Sequence, residues 1–185
     1  PGVTINRYCS SSLMSVRMAA QAIKAGEGDV FIAAGVETVS RFVHGFADSG
    51  PQNTKHAAAV ARTAEFSGGG QGAWTPFQGG LPDVYIAMGQ TAENVATYKG
   101  VTREEQDEYA ALSQQRATAS LENGFWENEI TPVTTTDDEG NAVVVTKDDG
   151  IRAGTTAEGL AGLKPVFRPD GTVTAGNACP LNDGA

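Results

Sequence analysis

The sequence predicts an α/β protein on three observations. Apolar runs flank a helix-period stretch in the N-terminal part, a capping box opens a second long helix near the middle, and a glycine-rich stretch separates the two. Residues 3–6 read as a strand. Ser10-Ser11-Ser12 supplies N-cap hydroxyls, and Leu13, Val16, Ala20 and Ile23 recur at helical spacing, so residues 10–25 read as a helix. Lys24 suits its last turn and Gly26-Glu27-Gly28 supplies the stop. Val30-Phe31-Ile32-Ala33-Ala34 then opens a second strand over residues 30–36, apolar on both faces as parallel sheets demand. Strand, helix and strand make a right-handed crossover unit.

Over residues 40–80 the pattern decays. Gly68-Gly69-Gly70-Gln71-Gly72 and Gln78-Gly79-Gly80-Leu81-Pro82 have loop composition, with a small helix expected over residues 57–65. The glycine run lacks the Lys-Ser/Thr and the preceding strand of a phosphate cradle, so it reads as a surface loop. Helices return from Met88. Residues 91–99 are closed by Gly100, and Thr102-Arg103-Glu104-Glu105 is a capping box. Its helix reaches Asn123-Gly124, with Tyr109, Leu112 and Leu121 on the apolar side. Residues 130–135 and 142–146 read as a hairpin around Asp137-Asp138-Glu139-Gly140-Asn141. That acidic turn lacks the alternating oxygen ligands of a calcium loop and reads as a solvated tip. Residues 171–179 are dense in small side chains, which let a backbone approach a ligand closely.

Composition narrows the function. The 185 residues hold 13 Lys+Arg against 22 Asp+Glu, a net charge of −9 with a pI near 4.6. A length of this order suits one or two domains of roughly 100–150 residues. Without a basic patch there is no case for nucleic acid, whose binding needs clustered Lys and Arg. The longest apolar run falls far short of the ~20 residues that span a bilayer, so no membrane role is expected. Pro1-Gly2-Val3-Thr4 lacks the layout of a secretion signal, and two cysteines suit a reducing cytoplasm rather than a disulfide framework. Both ends read as cuts. A dense polar motif starts almost at once after Pro1-Gly2, and Asn182-Asp183-Gly184-Ala185 resembles a turn leading onward, so a piece of a longer polypeptide is expected.

The strongest chemical candidate is Cys9, between a strand and the first turn of an apolar helix. Helix N–H groups and the dipole there favour the nucleophilic thiolate; the competing reading is a small buried hydrophobe. His44 and His56 are the histidines available as a base, and each reads as a surface residue. Glu104-Glu105 belongs to the cap, and Asp148-Asp149 to a solvated loop. HExxH, CxxC and GxSxG are absent, which removes sequence support for zinc proteases, redox dithiols and α/β-hydrolases; no metal ligands are assigned. Arg152 could clamp a phosphate or lie idle on the surface.

Asn6-Arg7-Tyr8-Cys9-Ser10-Ser11-Ser12-Leu13, followed by Gly35-Val36-Glu37-Thr38-Val39-Ser40, resembles the segment that carries the acyl-accepting cysteine of thiolases. Met88-Gly89-Gln90-Thr91-Ala92-Glu93-Asn94 and Thr102-Arg103-Glu104-Glu105-Gln106-Asp107 are similar to that family's loop-domain signatures. Gly171-Thr172-Val173-Thr174-Ala175-Gly176-Asn177-Ala178 and Leu181-Asn182-Asp183-Gly184-Ala185 are similar to the close of its N-terminal half. The likeness is collinear over essentially the whole chain. It implies a thiolase-like αβαβα layered fold, here a partial N-terminal half with an inserted α+β loop domain. Residues 1–41 and 172–185 would belong to the core, and residues 42–171 to the loop domain covering coenzyme A.

The resemblance also implies an activity: thiolytic cleavage of a 3-ketoacyl-CoA to acetyl-CoA, or the reverse condensation, through a thioester on Cys9. Coenzyme A is then a substrate rather than a cofactor, acyl-CoA thioesters are the partners, and the complete protein is a homodimer or homotetramer. Arg152 would stand near the adenine end and Met88 beside the acyl chain. Cys179 takes the place of a serine that contacts pantetheine, and a thiol is the weaker donor and acceptor. Ser12 stands where glycine is frequent, and Ala87 where some short-chain members have histidine, so a strict acetoacetyl preference is unsupported and degradative cleavage is favoured. The family's Asn-Glu-Ala-Phe and Gly-His-Pro segments and second catalytic cysteine are absent, so the chain alone is expected to be inactive. Two other readings stand beside this one: a non-catalytic coenzyme A-binding or oligomerisation module, and a cysteine hydrolase using His44 or His56.

Overall fold

The computed structural model describes residues 2–41, 50–67 and 80–185, so the Gly68–Gly72 loop, Gln78-Gly79 and His44 lie outside the described residues. The chain divides into two compact units. One comprises Pro1–Gly50 with Leu181–Ala185, and the other Pro51–Pro180.

The first unit is built on α1 (Ser11–Lys24), which ends as expected: Lys24 sits in the last turn, and the Ala25 N–H donates to Gln21 O. Gly26, at φ +75°, then turns the chain in a region where a side chain would be strained. The flanking strands do not form. A strand exists through its ladder, and the bridges in this unit among the described residues are isolated ones, Arg7 with Cys9 and Glu37 with Gly184. Residues 3–6 and 30–36 therefore run without regular pairing. Val30, Ile32 and Val36 are 86%, 92% and 72% exposed, and α1 buries no residue. A second tie joins the chain segments at residues 37–41 and 183–184. Glu37 and Gly184 exchange N–H···O bonds of 2.7 and 3.1 Å. Ser40 donates its N–H and its hydroxyl to the Asp183 carboxylate at 2.8 and 2.6 Å. That hydroxyl, foremost, holds Asp183 below the usual carboxylate pKa.

The second unit holds α2 (Ala57–Ser67), α3 (Met88–Lys99), α4 (Arg103–Glu122), the antiparallel pair β1 (Val133–Thr136) and β2 (Ala142–Val145), and α5 (Ala157–Ala161). α3 begins at Met88, a turn before the expected start, and closes on Gly100 at φ +67°. The capping box is present: the Glu105 N–H donates to Thr102 Oγ1, and Glu105 Oε2 accepts from the Thr102 N–H. The hairpin pairs Val133 with Val145 and Thr136 with Ala142. Its tip is tied to itself, because the Asp137 carboxylate accepts from the Glu139 and Asn141 N–H groups and from the Asn141 amide. The Asn141 N–H is the main cause that lowers the Asp137 pKa.

The face α4 buries differs from the expected one. Asp107 and Ala111 are its buried residues, whereas Tyr109 is 69% exposed and Leu112 and Leu121 are also open to solvent. The reason is visible in the core, which is small and half polar. Among the described residues, Ala59, Ala96, Ala111, Leu160 and Val173 are buried, and so are the polar Gln90, Glu93, Asp107 and Thr174. Helix packing here follows a hydrogen-bonded frame as much as an apolar stripe.

Candidate active site

Cys9 is a free, exposed thiol immediately before Ser10, the N-cap of α1. The turn that presents it is closed by short-range bonds. Tyr8 adopts φ +49°, the left-handed region that costs a non-glycine residue about 1–2 kcal/mol. Three groups support it. Asn6 Oδ1 accepts from the Tyr8 N–H at 3.0 Å, Ser11 Oγ donates to Tyr8 O at 2.7 Å, and the same Ser11 Oγ accepts from the Arg7 N–H at 2.8 Å. The Ser10 N–H donates to Arg7 O and the Ser11 N–H to Tyr8 O. Ser10 makes no side-chain cap bond. Gly35 completes the surroundings, because a Cβ there would collide with Ser12 Oγ. The Ser12 side chain is thus accommodated by a facing glycine.

The other three sequence-derived candidates belong to the second unit. Met88 is the first residue of α3 and is 69% exposed. Arg152 is exposed on a turn that Gly154, at φ +78°, completes. Its N–H donates to Gln114 Oε1 of α4 at 2.8 Å, and its carbonyl accepts from Thr155 Oγ1. Its guanidinium has no hydrogen-bond or ion-pair partner among the described residues, which leaves it available to an anion. Cys179 is free and exposed at the end of the small-residue segment.

That segment is held by residues sequence reasoning treated only as family signatures. The Glu93 carboxylate, 3% exposed, accepts from the Thr172 N–H at 2.9 and 3.0 Å, from Thr172 Oγ1 at 3.1 Å and from the Val173 N–H at 2.8 Å. Gly171 leaves it room, since a Cβ there would strike the carboxylate. Asp107, 2% exposed, accepts from Arg103 Nε at 2.7 Å and from Asn177 Nδ2 at 3.0 Å. The Asn177 amide also spans the segment, donating to Thr172 O and accepting from the Thr174 N–H. The Arg103–Asp107 pair at i, i+4 was the one sequence signal that could have exposed this frame.

The structure assigns His56 a supporting place. Its Nδ1 lies 2.8 Å from Pro82 O, and its ring meets Tyr85 edge-on at 5.8 Å. No group of three or more potential metal ligands occurs among the described residues.

Comparison with known proteins shows the family. The family described as "Thiolase, N-terminal domain" matches residues 1–185. The β-ketoadipyl-CoA thiolase of Acinetobacter baylyi is 46% identical over all of this chain, and an acetyl-CoA acetyltransferase of Pseudomonas aeruginosa is 44% identical. The chain spans 45% and 44% of those two proteins. The dimeric peroxisomal thiolase of Saccharomyces cerevisiae superposes with a TM-score of 0.69 at 33% identity, over 97% of this chain and 40% of that one. The α/β fold is therefore thiolase-like, present in part. The chain belongs to the thiolase family, and the portion it carries is the family's N-terminal domain.

Proposed function

We propose that this chain carries the acyl-accepting part of an acyl-CoA C-acyltransferase. The observation that carries the reading is Cys9: an exposed thiol at the start of α1, in a left-handed turn held from both sides. A helix start favours negative charge, which suits a thiolate nucleophile. In the degradative direction the Cys9 sulfur attacks the 3-keto carbonyl carbon of a 3-ketoacyl-CoA. The C2–C3 bond then breaks, its electron pair leaving as the enolate of acetyl-CoA, which takes up a proton. The shortened acyl group remains on sulfur until a second coenzyme A thiolate attacks the thioester and regenerates Cys9. The enolate needs an oxyanion hole and a proton donor. We assign those groups to a part of the polypeptide beyond this chain, which is inactive without them.

Arg152, Met88 and Cys179 are the proposed coenzyme A contacts. The Arg152 guanidinium, without a partner among the described residues, suits a phosphate of the coenzyme, and residues 42–171 act as the loop domain over it. The β-ketoadipyl and acetyl specificities named for the relatives leave the acyl chain open. A homodimer in the cytoplasm is the favoured setting, on the likeness to a dimeric thiolase and on two free cysteines.

Alkylation tests the reading. In the protein purified from its natural source, iodoacetamide should modify Cys9, abolish acyl transfer and be blocked by prior acetyl-CoA. Cys9→Ser should lower thiolysis by at least about a thousandfold. Full activity with Cys9 alkylated would reject the assignment.

A further inference from the structure

We propose that Glu93 is a positioning residue for coenzyme A, acting through the segment that ends at Cys179. The inference rests on the functional reading above and adds a residue that reading does not use. Glu93 lies on α3, the helix that starts with Met88, and its side chain is almost completely buried. All the hydrogen bonds of its carboxylate go to one place, the N–H groups of Thr172 and Val173 and the hydroxyl of Thr172. One carboxylate therefore fixes the helix that presents Met88 against the strip of backbone that leads to Cys179.

The bonding leaves the strip little freedom. Thr172 Oγ1 donates to Glu93 and accepts from Gln106 Nε2 of α4 at 3.0 Å, so both functions of that hydroxyl are used. Five residues on, Asn177 is held by Asp107 of the same α4, and the Ala178 N–H donates to Thr174 O just before Cys179. α4 also holds the third proposed contact, because Gln114 accepts from the Arg152 N–H. Met88, Arg152 and Cys179 are thus carried on elements that one buried polar frame joins. Glu93 ties α3 directly to Thr172 and Val173, while Gln90 and Asn94 of the same helix are bonded further back, to Phe167 and Arg168. Such a frame gives full value only when every donor is met, since a buried N–H without an acceptor is costly.

Glu93→Gln tests this. The amide replaces one acceptor oxygen with a donor facing N–H groups, so the strip should shift while its volume is kept. In the complete enzyme, the KM for coenzyme A should rise about tenfold, with kcat changed much less. The rate of Cys9 alkylation should stay at its wild-type value, because the bonds that hold the Cys9 turn run within residues 6–11. Protection of Cys9 by acetyl-CoA should need a correspondingly higher concentration. A lowered melting temperature with an unchanged KM for coenzyme A would overturn the proposal and leave Glu93 a purely structural group. Should Glu93→Gln fail to accumulate, Thr172→Val decides. It removes the hydroxyl link but keeps both backbone bonds, and a rise of about threefold in the same KM is expected, against none if the proposal is wrong. If acetyl-CoA does not protect Cys9 even in the wild type, the functional reading itself fails, whatever Glu93 does.

Discussion

Ser11 uses both capacities of its hydroxyl on the residues either side of the strained turn: it accepts from the Arg7 N–H and donates to Tyr8 O. Replacing it with alanine removes both bonds and leaves Tyr8 at φ +49° with less support. A local loss of about 1 kcal/mol is expected, which should speed amide exchange at Arg7 about fivefold. Ser11→Thr, which keeps the hydroxyl, should restore the wild-type rate. Equal exchange in all three proteins would mean that the turn is held elsewhere. Part of this was legible beforehand. The triple serine marked a helix start and placed Cys9 at its mouth, but three like residues carry no local signal for which hydroxyl turns where. Ser10 occupies the cap without a side-chain bond, Ser11 braces the turn, and Ser12 lies against Gly35. The positive φ was hidden because it falls on tyrosine rather than glycine or asparagine.

Elements were legible wherever their signals are local. Capping box, Gly100 stop and hairpin all act between residues close in sequence. The first two stand where they were expected, and the hairpin forms around the expected turn with its first strand shifted to Val133–Thr136. The buried face of α4 was not, because apolar periodicity cannot announce a face built on Asp107. Nor were the strand partners, since a ladder needs a neighbour that the segment itself does not encode. One pairing that does form, between residues 37–40 and 183–184, carries its own pH dependence. Asp183 titrates below its ordinary pKa of 3.8, chiefly through the Ser40 hydroxyl. A depressed carboxylate stabilises the folded form above its unfolded pKa, and the contribution disappears as pH falls through the folded one. Protection of the Gly184 amide, normalised for intrinsic exchange, should therefore hold at neutral pH and drop below about pH 4. In Asp183→Asn the amide should be less protected at neutral pH and show no acid step. An identical acid profile in both proteins would place the titration on another group.

At the scale of the molecule, the two units differ in how their apolar residues are treated. Every buried residue among those described lies within Pro51–Pro180, while Leu13 and Val16 of α1 are 72% and 54% exposed in the first unit. Apolar surface of that kind lowers the free energy only when it is covered, by roughly 25 cal/mol per Å². The chain matches less than half the length of its curated relatives. Expressed alone, it should therefore be poorly soluble, bind an apolar dye and unfold over a broad transition. Exchange should separate the units. Amides of Thr172 and Val173, donated to buried Glu93, should be strongly protected, while α1 amides exchange at close to the rate of an unpacked helix. Helix propensity gives α1 little independent support, because a 14-residue helix without a packed face is marginal in water. A soluble monomer with a sharp cooperative melt, and with α1 protected to the same degree as Val173, would show that the first unit needs no covering surface to stand.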